Sequence, residues 1–322
     1  MSLFGKGILG GGNSTEVRAS GGEITISGDY KTHTFKSGTG SFNIHYIPNG
    51  LSAISASILV VGGGGGGGSI ASSGPGISSG AGGGGGAGGV VIVPIDTGSL
   101  GVGAWEVVVG EGAPDTNQIS QGANGENSSF VSGSTTLIAL GGGGGNTVDY
   151  ASGTATPNGG SGGGGYGYNA NTPPSPVYSA GGTSTQSTFP GALEFGNDGG
   201  DGFGSTAGTP LGGGGGGATQ AGEDATLSYF GKGGDGIVWS TSTYGGDDRE
   251  VGGGGGAGGA RIVGDNGGSG GGGAGSNETA SPPLAERGTP NTGGGGGGGR
   301  SDATGAGGGS GVVAVRYKYK NL

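Results

Sequence analysis

Uninterrupted glycine runs restrict what this chain can fold into more than any other feature. They open at Gly62, Gly82, Gly141, Gly162, Gly212, Gly252, Gly270 and Gly293, at steps of 20, 59, 21, 50, 40, 18 and 23 residues. Several steps fall near twenty or a small multiple of it. Weaker clusters around Gly181, Gly199 and Gly231 fill some gaps, so the block reads as a rough repeat of glycine segment plus loop. Glycine loses more backbone entropy on folding than any other residue, so an ordered run needs a specific compensation. A flexible linker would mix serine freely and would not need clean runs of similar length with strand-like flanks.

Polyproline II geometry supplies the compensation. This helix has three residues per turn, rises about 3.1 Å per residue and makes no internal hydrogen bonds. Its N–H and C=O groups point outward and need partners. Without side chains, neighbouring helices approach closely and bond through their backbones. A seven-residue run such as Gly62–Gly68 would be about 22 Å long on that rise. Each net bond contributes only about 0.5–1.5 kcal/mol, so many runs are needed. Lattice interiors then tolerate glycine and occasionally alanine; Ala87, Ala257 and Ala274 sit inside or beside runs, as expected at lattice edges.

The remaining composition fits a small apolar core. The chain has 322 residues, 99 of them glycine, and only 29% hydrophobic residues, which argues against one large core. No G-X-Y period persists, so collagen is set aside. Helix is not expected, because no window repeats apolar residues at i, i+3, i+4 and i+7.

Strand signals lie at the two ends. Phe42, Ile44 and Tyr46 alternate with Ser41, Asn43 and His45; Ile54, Ala56, Ile58 and Val60 do the same, and both faces turn apolar from Leu59 to Val61. Ile24-Thr25-Ile26 and Thr32-His33-Thr34-Phe35 read as shorter strands. At the far end Val313, Val315, Tyr317 and Tyr319 share a face, with Arg316, Lys318 and Lys320 pointing away. The expected fold class is all-β and irregular: a small antiparallel sheet flanking a polyglycine II bundle, with essentially no α-helix. The expected organisation is an attachment segment over 1–22, a strand region over 23–61 pairing with 311–320, and the bundle with variable loops over 62–310.

Charge and segment type narrow the function. A net charge of -10, with 12 lysines and arginines, opposes binding to a phosphate backbone. The chain has no cysteine, so disulfides and thiolate metal sites are excluded. The first residues, Met1 to Leu9, lack a secretory signature, and no segment reaches the length of a membrane helix. Synthesis in a cytoplasm without an export signal is expected.

Several segments together resemble a known family. They are Ile58-Leu59-Val60-Val61 running into Gly62–Gly68, Asn124 to Phe130, Leu137-Ile138-Ala139-Leu140 before Gly141–Gly145, Gly231-Lys232-Gly233-Gly234-Asp235-Gly236, and above all Gly309 to Tyr317. The pattern, over about residues 40–319, is similar to the glycine-rich domain of phage tail-fibre and adhesin proteins. The resemblance implies a polyglycine II sandwich whose variable loops contact host receptors. It implies a virion localisation, other tail proteins as partners, and a host cell-surface glycan or outer-membrane protein as target. A homo-oligomer is compatible with it.

No catalytic constellation stands out. His33 and His45 are the only histidines and read as satisfied surface residues. GxGxxG matches arise by chance in so glycine-rich a chain, and none follows the strand–turn–helix pattern of a dinucleotide site. Asn197-Asp198-Gly199-Gly200-Asp201-Gly202 faintly resembles calcium-binding repeats, but Asp and Asn before glycine are usually turn formers. No cofactor, metal or catalytic residue is expected. The better candidates are aromatics between glycine runs: Tyr166, Tyr168, Tyr178 and Phe189, and Tyr229, Phe230, Trp239 and Tyr244. Exposed, they offer large contact area with few rotors; buried, they would cap the lattice as local cores. Residues 276–291, with Pro282, Pro283, Glu286 and Arg287, form a further loop. The expected function is a non-enzymatic virion protein, a tail-fibre or tail-tip adhesin binding the host surface. The rivals are a structural virion decoration or head fibre without receptor contact, an ice-binding polyglycine bundle, and a degradative virion enzyme, which the absent acid–base constellation disfavours.

Overall fold

The computed structural model describes residues 15–70, 77–116, 120–133, 135–147, 157–170, 177–204, 210–257, 267–276, 284–300 and 303–322. Along the chain the strands are β1 Arg18–Ser20, β2 Glu23–Ser27, β3 Tyr30–Phe35, β4 Gly38–Tyr46, β5 Ala53–Val61, β6 Ile77–Ala81, β7 Val90–Val93, β8 Ser99–Gly101 and β9 Gly103–Val109. They continue as β10 Ser128–Ser132, β11 Thr135–Ala139, β12 Gly167–Ala170, β13 Val177–Tyr178, β14 Leu193–Phe195, β15 Ile237–Trp239, β16 Arg249–Val251 and β17 Val312–Lys318. One four-residue helix, α1 Thr241–Tyr244, occurs among the described residues.

Two antiparallel sheets form a sandwich. One has the order β1-β4-β9-β10-β11; the other runs β14-β7-β5-β17-β3-β2, with β8 beside β5. The alternation in β5 explains its central place. Ile54, Ala56, Ile58 and Val60 face the other sheet, packing with Phe42, Ile44, Trp105, Val107 and Phe130. Leu59 and Val61 face outward, where Trp239 and Val251 of the β15–β16 hairpin cover them. β5 is therefore buried on both sides, as its closing apolar run requires. β17 lies between β5 and β3, with Val313 opposite Phe35 and Val60. The expected pairing of the chain's two strand regions is present. The expected face of Val313, Val315, Tyr317 and Tyr319 is also the core face.

Four expectations need correction. The sheet is not confined to the flanks: β7, β9, β10 and β11 lie between glycine runs and build much of the sandwich, so the core exceeds what 29% hydrophobic residues suggested. Residues 15–22 are not a separate lead, because Val17 is buried and β1 pairs with β4; residues 1–14 lie outside the described set. Arg316 does not point into solvent. It is buried, with its guanidinium 4.1 Å from the centre of the Tyr30 ring and Nη1 donating to the Gly245 carbonyl at 2.8 Å. His33 is a core residue rather than a surface one.

Candidate binding surface

Strands of the sandwich run straight into glycine segments. β5 continues as Gly62–Gly68, β9 as 110–116, β11 as 140–147 and β16 as 252–257, while 82–89, 120–127, 231–236 and 303–311 lead back into β7, β10, β15 and β17. Strand and glycine helix are thus successive parts of one rod, and the sandwich sets where each helix starts.

Hydrogen bonds around Gly62–Gly68 show the threefold period of polyproline II. Gly62, Gly65 and Gly68 donate to Gly89, Gly86 and Gly83; Gly63 and Gly66 donate to Glu126 and Ala123; Gly64 and Gly67 donate to Gly309 and Ala306. Carbonyls of the same run accept from three other segments: Gly63 and Gly66 from Gly142 and Gly145, Gly64 from Ala113, and Gly65 and Gly68 from Gly296 and Gly299. One helix is therefore held by six neighbours, three as donor and three as acceptor. A side chain has no room at six of the seven positions, Gly66 being the exception. A Cβ on Gly64 would sit 2.0 Å from the Gly294 carbonyl oxygen, and one on Gly85 2.2 Å from that of Gly65.

At the bundle's edge, polar side chains replace the missing neighbour. Asn124 Oδ1 accepts the Gly144 N–H, Asn127 Oδ1 that of Gly141, and Asn158 Oδ1 that of Thr183. Asp198, Asp201, Asp224 and Asp235 accept the N–H groups of Ser184, Gly181, Asp201 and Ser269 at 2.7–3.0 Å. The Ser269 N–H, the main influence on Asp235, holds its carboxyl below the usual carboxylate range. In the Asn197–Gly202 motif the side chains thus serve the lattice: Asp198 and Asp201 accept, and Asn197 Nδ2 donates to the Gly217 and Ala218 carbonyls. Among the described residues no three of His, Cys, Asp and Glu converge as metal ligands. Spacing alone did not reveal this role; its signal is Asn or Asp beside glycine in the weaker runs.

A groove of about 630 Å³ lies on the bundle flank between Glu111, Asp115, Glu126 and Arg287. Arg287 Nε donates to Asp115 Oδ1 at 2.8 Å, and this pairing lowers the Asp115 pKa. Of the 276–291 loop, Pro282 and Pro283 lie outside the described residues.

The eight candidate aromatics separate to opposite ends. Phe189 packs against the sandwich core, Tyr244 against the outer face of its larger sheet, and Trp239 is fully buried there with Nε1–H donating to Ser57 Oγ at 2.9 Å. Trp239 is therefore not an exposed loop aromatic: it follows a bundle segment but belongs to the hairpin that covers β5. The other five lie at the end remote from the sandwich. Tyr166 is buried with Ile70 and stacks on half-buried Tyr168, ring centres 6.1 Å apart, beneath the small sheet β6-β12-β13. Tyr166 is a local cap, the alternative role for these residues. Phe230 is half-buried, while Tyr178 and Tyr229 are 55% and 65% exposed. Hydrogen bonds link their surroundings: Ser179 N–H to Tyr166, Gly202 N–H to Ser179, Ala225 N–H to Asp201 and Thr226 N–H to Tyr229. Leu227 and Leu284 are exposed at this end as well.

No curated protein matches the chain significantly. The glycine-rich domain family model matches residues 34–318, from the end of β3 to the end of β17. With that match spanning most of the sandwich and the whole bundle, this chain belongs to the glycine-rich domain family.

Proposed function

We propose that this chain is a non-catalytic virion protein, a component of a bacteriophage tail fibre or tail tip. In this reading the end of the bundle remote from the sandwich binds a glycan or outer-membrane protein of the host, and the sandwich faces neighbouring tail proteins. The observation that carries it is the asymmetry of the two ends. The sandwich end buries its large aromatics and exposes only aliphatic residues such as Ile24, Ile26 and Val102, whereas the remote end exposes the aromatics Tyr178 and Tyr229, beside Leu227 and Leu284, on a backbone-bonded support. Rigid aromatic and aliphatic residues on a fixed frame give contact area at low ordering cost. A rim built from connections between rods can vary in sequence without disturbing the lattice, which suits recognition of changing surfaces. Net charge of -10 keeps nucleic acid off the list of partners.

The test uses purified protein and particles. Antibody to this chain should label fibre tips in electron micrographs, and the protein should block adsorption to host cells. Tyr178→Ala combined with Tyr229→Ala should weaken cell binding at least tenfold without lowering the melting temperature. Label on heads, or undiminished adsorption at saturating protein, would favour the decoration role instead.

A further inference from the structure

Edge strands expose unpaired N–H and C=O groups, and proteins blunt them with bulges, charges, short length or a covering side chain. Three of the four sandwich edges are blunted. β1 is three residues long, begins with Arg18 and shifts register against β4 between Arg18 and Ala19. β14 has three residues. The β11 edge is occupied by Gln186, whose Nε2 donates to the Ile138 carbonyl at 2.9 Å while its Oε1 accepts the Leu140 N–H at 2.9 Å. β2 shares only one of these devices, a charge at its first residue, Glu23. Its five residues pair with β3 in unbroken register, all five are exposed, and no described strand lies on its other side.

The pairing fixes which groups β2 offers. Ser27 and Tyr30 close a two-residue turn, so they form a hydrogen-bonded pair. Hydrogen-bonded and non-bonded pairs alternate along an antiparallel ladder. Thr25 with Thr32 and Glu23 with Thr34 are therefore also bonded, whereas Ile24 and Ile26 turn their N–H and C=O groups to the free edge. Their side chains share the face of His33 and Lys31, at the open side of the sandwich, and remain 47% and 59% exposed.

We propose that β2 is a self-association edge, pairing antiparallel with β2 of a second copy about a twofold axis at Thr25. In this register Ile24 of each copy faces Ile26 of the other as a hydrogen-bonded pair. All four outward groups of each strand are then used, with no bulge. The four isoleucines form one apolar cluster. Glu23 falls opposite Ser27, so no like charges meet, and Lys36 already neutralises Glu23 at 2.6 Å. The two larger sheets become one continuous sheet. A partner with a different edge sequence would not satisfy backbone and side chains in one register as this self-complementary strand does.

Light scattering across the micromolar range should show a concentration-dependent dimer. Ile24→Lys with Ile26→Lys places ammonium groups opposite one another and should leave only monomer, with circular dichroism and melting unchanged. Ile24→Glu with Ile26→Lys places opposite charges across the axis and should restore the dimer. The chain has no cysteine, so Thr25→Cys reports the register. Directly opposed non-bonded residues lie about 4.5 Å apart at Cα, within disulfide reach, and mild oxidation should give a covalent dimer. A wild-type monomer at every concentration overturns the proposal. So does a dimer that survives the lysine pair, or a folded Thr25→Cys protein that stays unlinked on oxidation.

Discussion

Individual glycines in the bundle differ in how much room they have. A Cβ on Gly85 meets the Gly65 carbonyl oxygen at 2.2 Å, whereas on Gly66 the nearest atoms are the Pro114 carbonyl oxygen at 3.1 Å and Ala113 Cβ at 3.4 Å. Gly85→Ala forces two backbones apart and should cost at least the ~1–3 kcal/mol of ordinary overpacking. Gly66→Ala should cost under about 1 kcal/mol, because the neighbour needs to yield only slightly. Denaturant titration of both variants checks the order. His33 carries a second residue-scale prediction. Its Nδ1 lies 2.7 Å from the Gly21 carbonyl, an acceptor only, so Nδ1 carries the proton and Nε2 accepts from Tyr317 Oη at 3.0 Å. Burial, the largest influence, lowers the His33 pKa below its ordinary 6.5. The unfolded chain therefore binds the proton first, and stability should be full above about pH 6.5 and fall as pH drops below it. Urea midpoints at pH 7.5 and pH 5 should differ in the wild type and differ less in His33→Gln. An equal pH dependence in both would assign the effect to other groups.

Elements differ in how openly the sequence announces them. β5 and β17 were legible because alternation over seven or more residues defines a face, and each sits beside a long glycine run. β7, β10 and β11 have only four or five residues. Such a short apolar insert has too little length to separate a core strand from a loop between helices. β9 alternates over Trp105, Val107 and Val109 but was absorbed into the glycine block around it. Arg316 looked like an outward charge because periodicity reports the side a residue faces, not what covers that side. The aromatics divided for the same reason: position between glycine runs says nothing about which end of a rod a connection occupies. The glycine helices themselves were readable, since only side-chain-free segments can take six backbone neighbours. Their edge acceptors support a prediction at this scale. Asn124 joins two segments, its Oδ1 accepting from Gly144 at 2.9 Å and its Nδ2 donating to the Asn158 carbonyl at 3.0 Å. Asn124→Ala should cost about 1 kcal/mol, because water can reach this edge and replace part of the loss. Hydrogen exchange should quicken at the Gly144 amide and stay slow at Gly65, inside the lattice.

At the scale of the whole molecule, the sandwich and the bundle have different means of support. The sandwich rests on buried apolar side chains, the bundle on backbone bonds that each contribute little. They are nevertheless one unit, because Gly62 follows Val61 and Val312 follows Gly311 without a joint, so the strands fix both the spacing and the axial register of the helices. A lattice of glycine helices cannot set its own register, since every glycine is chemically alike and a slip of three residues restores the same bonds. The sandwich and the edge Asn and Asp residues supply the registration that the runs lack. It follows that the two parts should unfold together. Trp239 is the place to test this: it is fully buried on the outer face of β5, within the apolar cluster there, and hydrogen-bonded to Ser57. Trp239→Ala should cost about 3–5 kcal/mol, as removal of a buried aromatic does. On heating, the circular-dichroism signals of β-structure and of polyproline II should be lost in a single transition, displaced to lower temperature by the same amount. If the polyproline II signal instead keeps its wild-type midpoint while the β signal shifts, the bundle holds its own register and the sandwich is a separate fold attached to it.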